Sequence, residues 1–143
     1  MNTKWDNRFL DLAAHIAAWS KDPSTRVGCV IVNHNKTIVS VGYNGFPRGV
    51  VDHAGRYENR EVKYLLVQHA EANAIASAKE PLDGYTAYVT HHPCSNCAGL
   101  IIQTGITRVV TRKPESGFTE RLKESIQAAQ TMFREANVTL DII

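Results

Sequence analysis

Apolar side chains at Trp5, Phe9, Leu12, Ile16 and Trp19 recur at spacings of four and three, which predicts a helix over residues 5–19 with one buried stripe. That regularity assigns both tryptophans to packing, in the core or between subunits, and leaves His15 on the surface. Lys21-Asp22-Pro23 ends the helix, because proline lacks an amide donor and biases its predecessor toward extended backbone. Residues 27–33 are apolar at successive positions, so this strand is covered on both faces, and Cys29 within it reads as a small buried hydrophobe. Residues 37–43 resume as a second strand after Asn33-His34-Asn35-Lys36, making an antiparallel hairpin with His34 at its solvated tip. The next stretch, Gly42-Tyr43-Asn44-Gly45-Phe46-Pro47-Arg48-Gly49, leads into Asp52, His53, Arg56, Glu58 and Arg60. It predicts a long polar loop, and loops of that kind are more often functional than decorative.

Tyr64 to Gln68 forms an apolar lead, a strand or buried segment, into an alanine-rich helix over 70–79 that Pro81 and Asp83-Gly84 close. Further along, the pattern predicts a strand over 85–90, a helix over 94–103 behind Pro93, a strand over 107–111 and a loop over 113–117. An amphipathic helix over 120–136 and a strand over 138–143 complete the chain. A hairpin followed by alternating helices and strands specifies an α/β fold, a three-layer α/β/α sandwich with a central mixed five-stranded sheet, in one domain over residues 1–143.

Composition narrows this little. The 143 residues suffice for one sizeable core, with ordinary hydrophobic (43%) and charged (21%) shares. A formal charge of +2 is too small to imply a molecule built to coat nucleic acid, and it leaves the partner open. The polar N-terminus shows no secretory leader, and no apolar run approaches the roughly 20 residues of a membrane span. With three cysteines, two of them in one C-x-x-C pair, the chain reads as cytoplasmic, its thiolates held by metal in a reducing compartment.

The chemistry concentrates between His69 and Cys97. His69, Cys94 and Cys97 suit a soft four-coordinate ion such as Zn²⁺, and three protein ligands leave one position for water. Glu71 stands two residues beyond the histidine, placed to handle that water's protons. A structural zinc site would close its coordination sphere, yet Cys29, His91 and His92 are the only other soft candidates and none is a good fourth ligand. His69 begins one helix and the cysteines begin another, so two helix N-termini converge on the metal and favour thiolate over thiol. The pattern H-x-E…P-C-x-x-C is that of the zinc-dependent base deaminases.

Over residues 22–110 the chain resembles the deoxycytidylate (dCMP) deaminases of the cytidine deaminase superfamily. The resemblance rests on D-P-S-T-R-V-G, G-Y-N-G-F-P-R-G, H-A-E-A-N-A-I, Y-V-T-H-H-P-C-S-N-C-A and L-I-I-Q-T-G-I. It implies hydrolysis of dCMP to dUMP for thymidylate synthesis, with Glu71 as proton carrier. It implies substrate contacts from Asn44 to the sugar, from Ser24, Thr25 and Arg26 to the phosphate, and from Ala70. It further implies a homohexamer activated by dCTP and inhibited by dTTP with Mg²⁺, with Gly45, Arg48 and Asp52 as effector-site candidates. Some related enzymes carry a second zinc in an insertion before H-A-E, but only His53 stands there, so one zinc per subunit is expected. The region after Lys113 matches no motif.

Other members of the superfamily share the zinc constellation. A tRNA adenosine deaminase needs a basic groove that the near-balanced charge does not offer, and a free cytidine deaminase needs no phosphate clamp. A non-catalytic zinc or dithiol protein is the alternative outside the enzyme class.

Overall fold

The computed structural model describes residues 3–114, 117 and 120–143. Its elements are α1 (Lys4–Ala17), β1 (Gly28–Val32), β2 (Ile38–Tyr43), α2 (Ala54–Glu58), α3 (Arg60–Leu66), α4 (Ala70–Ser77), β3 (Thr86–Val89), α5 (Ser95–Gln103), β4 (Arg108–Thr111), α6 (Glu120–Glu135) and β5 (Thr139–Ile142). Parts of the expected 113–117 loop, Glu115 and Ser116, lie outside the described residues, as do Met1 and Asn2 of the N-terminus. No helix among the described residues is long and apolar enough to cross a membrane.

The five strands form one mixed sheet in the order β2-β1-β3-β4-β5. β1 pairs antiparallel with β2 and β3, while β3, β4 and β5 run parallel. Parallel neighbours need a crossover, and α5 and α6 supply the two. The hairpin forms as expected: Asn33 Oδ1 accepts from the amides of Asn35 and Thr37, and Lys36 takes the left-handed conformation (φ 61°).

β1 is buried at every position, and its side chains alternate between two clusters. Val30 and Val32 face Phe9, Leu10 and Ala13 of α1. Cys29 and Ile31 face Ala70 and Ala74 of α4, Ala98 and Ile101 of α5, and Ala129 and Phe133 of α6. One helix thus covers one face and three cover the other, the expected three layers. Two glycines let helices approach closely: a Cβ on Gly28 would strike the carbonyl of Ala13, and one on Gly42 would strike the amide of Ala74.

Three expectations need correction. The first helix stops at Ala17, and Trp19 lies beyond it at 54% exposure, against Tyr43 and His15 rather than in the core. The stretch expected as a long polar loop holds two short helices. Asn59 links them, ending α2 with its amide on Gly55 O and opening α3 by accepting from Val62 N, while Tyr57 stacks on Phe46 at 4.2 Å. The apolar lead into His69 is neither strand nor buried: Tyr64 and Leu65 belong to α3 and are 53% and 82% exposed. Past α3, Gln68 makes a single antiparallel bridge to Gly45.

A buried ion-pair network ties α1 to the far strands. Thr3 and Asp6 form a capping box, and the Asp6 carboxylate, 1% exposed, takes a bidentate Arg108 (2.9 Å twice) and the Tyr88 hydroxyl (2.8 Å). Burial pushes the Asp6 carboxyl up, but the hydrogen bonds from Arg108 and Tyr88 outweigh it and hold it below its ordinary value. A depressed carboxylate pKa adds stability above the unfolded value, about 4, and loses it as pH falls through the folded value. Asp6→Asn is therefore expected to cost about 2 kcal/mol at pH 7, below the usual cost of breaking a fully buried pair because Arg108 is partly exposed. Thermal melts of both proteins at pH 7 and pH 3 check this; a gap that does not narrow in acid would contradict it.

Candidate active site

His69 is the N-cap of α4, and Cys94 is the N-cap of α5. Residues at this position leave the helical backbone, so their side chains point forward from the helix end. His69 makes no capping bond to its own helix, and Cys94 Sγ accepts from the Cys97 amide at 3.5 Å. Cys97 follows one turn into α5 on the same side. The two helices abut, and three donor atoms converge: His69 Nδ1 lies 3.3 Å from Cys97 Sγ and 3.5 Å from Cys94 Sγ. All three atoms fall within 4.8 Å of one another.

A tetrahedral zinc with ordinary bond lengths separates its nitrogen and sulfur ligands by about 3.6 Å and two sulfurs by about 3.8 Å. The donor set therefore fits that ion with little adjustment. Without the ion the three groups share protons: the Cys97 thiol hydrogen bond holds the Cys94 thiol at about 4 despite burial, while the hydrogen bond to Cys94 raises His69, so a metal must displace protons as it binds. Cys97 itself is raised, by that hydrogen bond to Cys94 and by burial.

Glu71, in the first turn of α4, is 4% exposed. Burial pushes its carboxyl up to about 7, opposed by its own backbone amide and by His69. A carboxyl near neutrality both takes and returns a proton at working pH. α4 is seated by Ser40 Oγ on Ala74 O (2.6 Å) and by Asn73 Nδ2 on Tyr43 O (2.8 Å), so the helix bearing Glu71 is fastened along β2.

A cavity of about 920 Å³ opens over this floor. His69, Ala70, Glu71 and Cys94 line it, and so do Ser24, Thr25 and Asn44, so most of the expected substrate residues share one space. Asn44 is committed to the loop: its Oδ1 accepts from Val27 N and its Nδ2 donates to Thr25 O, both at 2.8 Å. An amide retains one further donor and one further acceptor after those bonds. Arg26 is exposed, does not line the cavity, and donates Nε to Asp22 O at 3.3 Å. Gly45, Arg48 and Asp52 lie outside it too; Asp52 pairs with Lys21 at 2.8 Å beside a separate cavity of about 210 Å³. His91 and His92, whose place was open in the sequence, both line the large cavity, and burial lowers both.

Sequence reasoning missed the support beneath the Ser24-Thr25 turn. Asp22, 3% exposed, accepts from Ser24 N at 2.8 Å, from Thr25 N at 3.2 Å and from Lys63 Nζ at 3.4 Å. Asp before Pro-Ser-Thr is a recognisable side-chain turn pattern, but nothing local marks Lys63, 41 residues away, as its partner.

Removing an amino group from an aromatic ring by hydrolysis needs an activated water and a group that carries protons both ways, and the ligand set with Glu71 offers both. The molecule is accordingly of the zinc-binding base deaminase class. The cytidine and deoxycytidylate deaminase zinc-binding region matches residues 3–113, and the chain belongs to that family. It is 52% identical over 138 residues to an uncharacterized deaminase of the luxG 3′ region from Aliivibrio fischeri, covering 96% of this chain and 92% of that one. It is 39% identical over 142 residues to the deoxycytidylate deaminase of Mus musculus, covering 95% and 78% of the two chains. The crystal structure of the dCMP deaminase of cyanophage S-TIM5 in apo form shares the fold over 100% of both chains, with a TM-score of 0.76 and 24% identity.

Proposed function

We propose that this enzyme hydrolyses dCMP to dUMP and ammonia. The observation that carries the reading is the single cavity lined both by Glu71, His69 and Cys94 and by the Ser24-Thr25 turn, a proton carrier and two metal ligands in one space with hydroxyls suited to an anion. Relatives called deoxycytidylate deaminases, at 38–39% identity over most of the chain, support the same substrate.

His69, Cys94 and Cys97 would hold one Zn²⁺, which lowers the pKa of water from about 15.7 to roughly 7. Glu71 takes a proton from the attacking water as its oxygen bonds to C4, and delivers that proton to ring N3. It then takes the second proton from the new C4 hydroxyl and passes it to the exocyclic nitrogen, which leaves as ammonia as the C4–N bond breaks and the C4 carbonyl forms. Ala70, at the base of the cavity with no exposed surface, bounds the space beside the ring. Asn44 offers its remaining amide valences to the sugar. Exclusion of water from the buried carboxyl strengthens each of these interactions.

The reading extends to a single deaminase domain acting in the cytoplasm and supplying dUMP for thymidylate synthesis. It extends also to a homo-oligomer, a hexamer, activated by dCTP and inhibited by dTTP with Mg²⁺, the effector meeting Gly45, Arg48 and Asp52. These parts rest on family resemblance and on the exposed position of that loop.

Initial rates on dCMP, deoxycytidine, CMP and adenosine-containing tRNA test the substrate. A preference of at least tenfold for dCMP over deoxycytidine is expected. Equal rates on the two would remove the monophosphate from the reading, and turnover of the tRNA alone would replace it.

A further inference from the structure

Tyr64, on the outer turn of α3, gathers positive charge at the mouth of the large cavity. Its hydroxyl accepts from Arg60 Nε at 2.8 Å and from Arg121 Nη1 at 3.2 Å, although the arginines come from different helices. Lys63 Nζ stands 5.7 Å from its ring centroid, on the inner side. All four residues line the cavity.

Of the three cations only Lys63 has an acidic partner among the described residues, the Asp22 that organises the Ser24-Thr25 turn. Neither arginine makes an ion pair there; Glu58, the other acidic side chain of the cavity mouth, pairs with neither. Two guanidinium groups held on one neutral oxygen repel each other, and an anion between them removes that cost. The hydroxyl occupies one donor of each, so both retain N–H groups for another acceptor. Their spacing, each within hydrogen-bond reach of the same atom, is one that a single phosphate group spans.

We propose that Arg60 and Arg121, with Lys63 beside them, form the subsite that grips the substrate's 5′-phosphate in the cavity that Ser24 and Thr25 also line. Arg26, turned onto the backbone of its own loop, is not part of it. The inference rests on the monophosphate reading above and names the residues that enforce it. Arg60 and Arg121 are exposed, so replacing them leaves the core intact, whereas loss of Lys63 would strand the buried Asp22 carboxylate.

The test compares kcat/KM on dCMP and on deoxycytidine for the zinc-loaded wild type, the double variant Arg60→Ala/Arg121→Ala, Arg26→Ala, and Lys123→Ala as a control on the same helix outside the cavity. Affinity for dUMP by calorimetry provides a readout without turnover. Two charge-assisted hydrogen bonds correspond to roughly a 100-fold effect. The double variant is expected to lose about that factor on dCMP, mainly through KM, and to bind dUMP more weakly by a similar factor. Its preference for dCMP over deoxycytidine collapses, while Arg26→Ala and Lys123→Ala keep theirs. A double variant that keeps the wild-type preference, or an Arg26→Ala protein that loses it, overturns the assignment and leaves the dCMP reading standing. A wild type indifferent between the two substrates refutes that reading and the subsite with it.

Discussion

Glu71→Gln is expected to lower kcat/KM on dCMP by about 10³ to 10⁴, the upper range for a positioned general acid and base. Glutamine fills the same volume in a site only 4% exposed, so neither cavity formation nor unfolding would account for the loss. Metal content and Tm should stay near wild type, which separates a missing proton carrier from a missing ion. The size of the effect follows from the geometry. Glu71 is the acidic side chain that shares the cavity floor with the ligands, and burial has brought its carboxyl to about 7. Rates on dCMP beside elemental analysis of the same sample make the comparison. A variant within tenfold of wild type would move proton transfer to another group, with His91 on the same wall the first to examine.

Stripping the metal should abolish activity and lower Tm by on the order of 10 °C, both restored by about one equivalent of Zn²⁺ per chain. An ion that binds only the folded state adds roughly 4 kcal/mol at a thousandfold excess over its Kd, and each kcal/mol moves Tm by a few degrees in a chain of this size. The ligands fasten the N-terminus of α4 to that of α5, so the loss should appear as loosening between these helices. Cys97→Ser should reproduce the stripped state without chelator. Chelator-treated protein that keeps both its activity and its Tm would exclude zinc from both roles. Stoichiometric zinc, removed only by chelation under reducing conditions, would in turn exclude a Cys94–Cys97 redox pair.

The ligand set was legible in the sequence because its geometry is local twice over. Cys94 and Cys97 lie three apart, His69 and Glu71 two apart, and each pair opens a helix. The final helix was legible from periodicity, and the hairpin from two apolar runs around the turn-forming Asn33-His34-Asn35-Lys36. Trp19 misled because its spacing continues the α1 stripe past the turn where the helix ends, and periodicity carries no signal for that ending. The helices over 54–66 leave no mark on the sequence, which reads as polar loop through Arg60 and as an apolar lead from Tyr64, because each is too short to show a repeat and one asparagine joins them. Asp6 with Arg108, and Asp22 with Lys63, are long-range pairs that only the folded sheet brings together. The cations of the cavity mouth were invisible for the same reason: Arg121 sits 57 residues from the tyrosine it meets.

Gly28 and Gly42 carry a consequence for how this molecule can change over time. Each sets backbone directly against backbone, α1 on one face of the sheet and α4 on the other, and such a contact has no rotamer with which to absorb a new carbon atom. The frame that aims His69 and Glu71 therefore offers a lineage almost no neutral steps. The wall over 54–66 is built differently, from long side chains on two short helices held by Asn59 and the Phe46–Tyr57 stack. Single substitutions there can reshape what enters without disturbing what reacts. Descendants of this chain are thus free to change their diet through the wall while inheriting one unaltered chemistry.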